Sequence, residues 1–292
     1  MPSRTRDITV LCVLAAAVVW MYGGILSSLA RQWASDDNYS HGFFVVPLAL
    51  YFAWERRAAL KAAPAAPSIA GLAVLLLSLG LLMAGILGAE LFLSRISLVG
   101  VLAGIVLFVW GRHHFRLLSF SLAFLLLMIP LPAIIFNQIA FPLQLLASRA
   151  GEMVITLAGI PVVREGNVLQ LPSQTLEVAE ACSGIRSLVS LIMLAIVLGH
   201  FTERRISRRF LIALAAVPIA IIANAARVAG TGLASELVSP AAAEGFLHTF
   251  SGWLMFVAAF VMLFAFAYIM RRLAPPETPA LDAGVLAPEI SR

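Results

Sequence analysis

Residues 72–87 read Leu-Ala-Val-Leu-Leu-Leu-Ser-Leu-Gly-Leu-Leu-Met-Ala-Gly-Ile-Leu, with no charge anywhere in the run. A strand of a membrane barrel alternates apolar and polar side chains, and this stretch does not. With its flanks it supplies the roughly 20 mostly apolar residues that a membrane-spanning helix needs. Lipid offers no partner to an open backbone, so a run like this crosses as a helix. Working outward on the same criterion gives eight spans, near 8–29, 42–54, 68–88, 91–110, 117–136, 183–200, 210–227 and 249–270. The expected fold class is therefore an all-α polytopic membrane protein.

Composition agrees. Of 292 residues, 61% are hydrophobic and 12% charged, with mean hydropathy +0.98; soluble domains carry roughly 45–50% and about 25%. The net charge of +5 is not read as a nucleic-acid footprint, because the charges follow the spans. Arg4 and Arg6, the group Arg56, Arg57 and Lys61, Arg112 and Arg116, Arg204 to Arg209, and Arg271 with Arg272 all fall on one side. The other side holds Arg31, Arg95, Arg149, Arg164, Arg186 and Arg227. By the positive-inside rule both termini are expected in the cytoplasm. Residues 1–273 read as one transmembrane domain and 274–292 as a disordered Pro- and Ala-rich cytoplasmic tail.

Between the fifth and sixth spans lies the longest stretch not counted as spanning. Phe141–Leu157 suits an interfacial or partly buried helix. Arg164-Glu165-Gly166-Asn167 reads as a turn, and Val168–Leu171 and Thr175–Val178 as the strands of a small hairpin leading into Cys182. Of the two cysteines, Cys12 lies inside an apolar run, and one pair makes no disulfide framework.

The charge topology places Cys182, Arg186, Arg227 and His248 at span ends on one face. A thiol at a helix N-terminus with a cation at i+4 ionises more readily, and the thiolate is a nucleophile; a small packing residue is the bland alternative. Asn224 and Arg227, at i and i+3, share a helix face. An ionisable group in a span needs a partner or a wet cavity, although Arg227 can also snorkel to the interface. His248 opens the last span, where it suits either a proton acceptor or a helix cap. His41, in the mouth segment Asp36–Phe43, is a candidate for touching substrate or for anchoring a solvated loop. His113 and His114 read as solvated charge carriers, and His200 as lying at the wrong end for Cys182. There is no Gly-x-Ser-x-Gly elbow, His-Glu-x-x-His, Walker loop or Gly-x-Gly-x-x-Gly, so neither metal nor cofactor is expected.

Four segments in this order resemble the exosortase family, and more distantly the archaeosortases. They are Tyr39-Ser40-His41-Gly42-Phe43, Ala181-Cys182-Ser183-Gly184-Ile185-Arg186, Asn224-Ala225-Ala226-Arg227, and His248 with Gly252. The resemblance spans roughly residues 7–273 and is nearest the exosortase A type. It implies a cysteine transpeptidase of the bacterial inner membrane, with its active site on the periplasmic side. Its substrates would be proteins ending in a Pro-Glu-Pro motif, one transmembrane helix and a basic end, often in bacteria that make exopolysaccharide. Cys182, Arg227 and His248 match the catalytic cysteine, arginine and third position. On this reading Cys182 forms a thioester, His248 handles the proton and Arg227 stabilises the oxyanion. Arg186 lowers the thiol pKa or holds the motif glutamate, and Glu177 and Glu180 position either arginine. Protein substrates and membrane lipid are the expected partners, and nucleic acid is not. The rival reading is a non-enzymatic transporter or a polysaccharide-export membrane subunit.

Overall fold

The apolar runs become helices because each must close its own backbone hydrogen bonds. The computed structural model describes residues 2–178, 185–239 and 245–273, with backbone alone for 2–8, 10, 11, 245–249 and 251. In chain order the helices are α1 (Pro2–Ser35), α2 (Gly42–Glu55), α3 (Arg57–Ala62), α4 (Ile69–Leu87), α5 (Leu91–Val109), α6 (Arg112–Phe124), α7 (Ala133–Leu157), α8 (Ile185–Thr202), α9 (Ile206–Leu237) and α10 (Gly245–Leu273). Six of these are long and apolar enough to cross a membrane, and a bent pair raises the number to seven. Helix α2 is apolar but has 14 residues, or about 21 Å. The chain is a multi-pass, all-α membrane protein, as expected.

The fifth expected span, 117–136, is not one helix. Helix α6 tightens into a 3₁₀ turn, Leu125–Met128, and α7 leaves at 79° to the α6 direction. Pro130 and Pro132 explain the break, since neither has an N–H for the carbonyl four residues earlier. The 3₁₀ bond from Ile129 N–H serves the Leu126 carbonyl at 3.2 Å. Two side chains serve the next carbonyls: Trp33 Nε1 donates to Met128 O at 3.0 Å and His41 Nε2 to Leu127 O at 3.1 Å. Helix α7 then runs unbroken through Phe141, so no separate interfacial helix begins there.

Two cores hold the bundle. Tyr22, Leu29, Val45, Phe52, Leu98 and Phe124 join α1, α2, α5 and α6. Leu191, Ala195, Ala216, Ala220, Ala259 and Leu263 join α8, α9 and α10, where alanines let three helices approach closely. The α4–α5 hairpin uses glycine in the same way: a Cβ at Gly71 would overlap the Phe108 backbone, and one at Gly100 the Ser78 hydroxyl.

The hairpin region is a three-stranded antiparallel sheet: β1 (Val163–Glu165), β2 (Val168–Gln170) and β3 (Thr175–Glu177), in the order β1-β2-β3. Val163 pairs with Gln170, and Val168 with Glu177. The expected turn at Arg164–Asn167 is shorter; Arg164 and Glu165 belong to β1, and Gly166 takes φ +66°, a left-handed value that glycine adopts without strain. Helix α9 also extends ten residues past the expected end. Its last turns reach the sheet, where Val228 packs with Leu169, Leu171, Val178 and Ile155 of α7. Ser173 N–H donates to Glu236 Oε1 at 2.9 Å. The sheet, the end of α9 and the starts of α2, α5, α8 and α10 thus share one end of the bundle.

At the opposite end His200 lies 2.8 Å from Glu55 Oε2 and stacks on Phe120. His114, expected in solvent, is 8% exposed because α6 turns it inward.

Candidate active site

The site is built where α9 meets α10. Ala216, Ala220 and Ala223 carry one face of α9 into the helix core, and Asn224 continues it, 7% exposed. Arg227 follows one turn later and is half-buried. Its guanidinium lies against Gly252 of α10, so close that a Cβ there would sit 3.3 Å from Cζ and Nη2. His248 is four residues earlier on α10, one helical turn from that contact. The fold therefore brings Arg227 to the His248 region of α10. The side chain of His248 lies outside the described residues.

Cys182 and Glu180 also lie outside the described residues, in the segment 179–184. Both flanks of that segment are anchored. On one side Val178 is 1% exposed in the cluster that contains Val228, the neighbour of Arg227. Asn167 fixes it twice: Val178 N–H donates to Asn167 O at 2.8 Å, and Asn167 Nδ2 donates to Val178 O at 3.2 Å. On the other side Ile185 is 2% exposed and packs with Phe136 and Ala140 of α7, with Tyr39 against the same cluster.

Arg186 pairs with Asp37 Oδ2 at 3.1 Å in an exposed contact, which ties the start of α8 to the segment between α1 and α2. Glu177 is exposed on β3 and forms no ion pair among the described residues. His41 is 6% exposed. Because a carbonyl oxygen only accepts, its Nε2 carries the proton given to Leu127. Burial pushes its imidazole below the ordinary value of 6.5, while the bond to Leu127 works the other way. The structure thus seats His41 as a support for the α6–α7 break.

Trp33 was not singled out from sequence as a support. Pro130 and Pro132 were the available signal, since each removes a donor and leaves carbonyls that require outside partners. Among the described residues no group of His, Cys, Asp and Glu has the arrangement of a metal site.

Fold and site define a class: a multi-pass helical membrane protein with a guanidinium set between two helices beside a small antiparallel sheet. The chain belongs to the transmembrane exosortase family, whose model (Exosortase_EpsH) matches residues 33–265. That interval takes in every residue named above as a site candidate. No curated protein and no solved structure matches the chain significantly. Membership makes the protein a membrane-embedded sorting transpeptidase that acts on proteins bearing sorting signals.

Proposed function

We propose that the protein cleaves C-terminal sorting tails of the Pro-Glu-Pro type through a thioester on Cys182 and passes the shortened protein to an acceptor. The observation that carries this reading is the guanidinium of Arg227 resting on Gly252, one turn from His248, at the end of the bundle where α8 begins. Cys182 stands three residues before Ile185, the first residue of α8.

The Cys182 thiolate attacks the scissile carbonyl, and the carbonyl electrons move onto oxygen. Arg227 stabilises that oxyanion; a guanidinium, with pKa above about 12, is a poor proton donor but a strong fixed charge. The C–N bond then breaks, and the leaving amine takes the proton that His248 removed from the thiol. The tail helix departs and the acyl group remains as a thioester. The acceptor nucleophile attacks it and gives its proton to His248, and the C–S bond breaks to regenerate the thiolate. The reaction runs on the periplasmic side of the bacterial inner membrane, with both termini in the cytoplasm, as the charge distribution supports.

Co-expression of a tailed substrate with the native protein, with Cys182→Ala or with Arg227→Ala tests the proposal. Shortening of the substrate by the native protein alone is expected. Equal shortening by Cys182→Ala at matched expression favours the transporter reading instead.

A further inference from the structure

Arg95 sits one turn into α5 and is 3% exposed. Its Nε is buried with no hydrogen-bond partner, and among the described residues it has no ion pair. Arginine does not give up its charge in a protein, and a buried cation without a partner is strongly disfavoured. Its titratable neighbours are Glu90 and Tyr39. The guanidinium lines a cavity of about 230 Å³, together with Gln32, Glu90, Phe92, Pro130 and Pro132. That volume holds several waters at about 30 Å³ each, or one acidic side chain.

The position of the cavity is as informative as its charge. One wall is the proline break itself. One turn further along α7, Phe136 packs on Ile185, and Tyr39 closes on the same cluster, its ring 6.2 Å from Phe136. A polypeptide that crosses the start of α8 at Ile185 thus passes near the proline break that walls this cavity. The walls hold Arg95 and Glu90, which form no ion pair with each other among the described residues, so the guanidinium fork is left for a guest that accepts two N–H bonds from it. A carboxylate is such a guest.

We infer that the Arg95 cavity is a carboxylate subsite that holds the acidic side chain of the sorting tail and selects for it. The inference rests on the proposed function for the identity of the substrate. Arg95 is a specificity determinant on this account and takes no part in bond breaking.

The test needs no change in the protein to begin with. A tailed substrate and its tail Glu→Gln variant are presented to the native protein in proteoliposomes, and kcat and KM are read separately. The glutamine tail is expected to lose about 10- to 100-fold in kcat/KM, the range of one charge-assisted bond, mainly through KM. Arg95→Gln is expected to process both tails equally and to melt no lower than the native protein without substrate. Binding of labelled tail peptides to Cys182→Ala protein reads the same preference without chemistry, so it decides the inference even if no processing occurs. Equal binding of glutamate and glutamine peptides by Arg95-containing protein would overturn it. Retention of phosphatidylglycerol by the native protein but not by Arg95→Gln, with no tail preference, would overturn it in favour of a lipid headgroup.

Discussion

Gly252→Ala separates stability from activity. A new Cβ would sit 3.3 Å from the Arg227 guanidinium carbon, whereas carbon atoms at their best separation stand about 3.5–4.0 Å apart. The guanidinium is the free end of a flexible side chain, so it moves away by about 0.4 Å. A misplacement of about 1 Å at a reacting centre costs up to roughly 100-fold; a share proportional in free energy for 0.4 Å is about 6-fold. Meanwhile alanine removes the conformational penalty of glycine in a helix, roughly 0.5–1 kcal/mol. Processing of a tailed substrate should therefore fall about 6-fold while the melting temperature in detergent holds or rises. Gly252→Leu pushes the guanidinium out altogether and should approach Arg227→Ala, a loss of about 10²- to 10³-fold for a missing oxyanion donor. In an Arg227→Ala background, Gly252→Ala should add nothing further. Full activity in Gly252→Leu would refute the reasoning, because the guanidinium would then not need its place on α10.

Other outcomes follow from local geometry. Trp33→Phe removes the donor to Met128 O, whose helical partner is Pro132, and should cost about 1–2 kcal/mol of stability, read as a lower melting temperature. Gly111→Ala should be more damaging, since Gly111 has φ +86° and a Cβ would overlap the Ala66 carbonyl; loss of folded protein in detergent checks this. Asp37→Asn breaks an exposed pair with Arg186 and should change stability by no more than about 0.5 kcal/mol. Burial lowers the pKa of His41 in the folded state, so the unfolded chain binds more protons just below pH 6.5. Stability should therefore fall as pH drops below about 6.5, and His41→Gln should flatten that slope in pH-dependent melts.

Much of the bundle was legible because lipid demands long apolar runs. The α4–α5 hairpin, expected at 68–88 and 91–110, is found within a residue of each boundary, since its runs are bounded by Pro67-Ser68 and by Gly88–Glu90. The break after Met128 was missed because hydropathy carries straight through Pro130 and Pro132. The extension of α9 to Leu237 was missed for the converse reason: Thr231, Ser235 and Glu236 dilute the apolar signal, and the sheet and Ile155 of α7, not lipid, cover Val228 and Gly232. Strand β1 ends in two charged residues beside the Gly166-Asn167 turn and is held by its pairing with β2. At the site, sequence supplied Arg227, His248 and Gly252, but not that the guanidinium lies on the glycine. Nor did it distinguish Arg95, read as one more span-end charge, from the exposed arginines. Burial of that kind depends on which helices meet, and the pattern along one chain does not encode it locally.

The central claim is tested most directly by isolating the intermediate. Native protein incubated with a tailed substrate, quenched in acid and digested, should yield a Cys182 peptide carrying the new C-terminus of the substrate, released by hydroxylamine as a thioester is. Absence of that adduct while shortened product accumulates, or product formation by Cys182→Ala, would contradict the account.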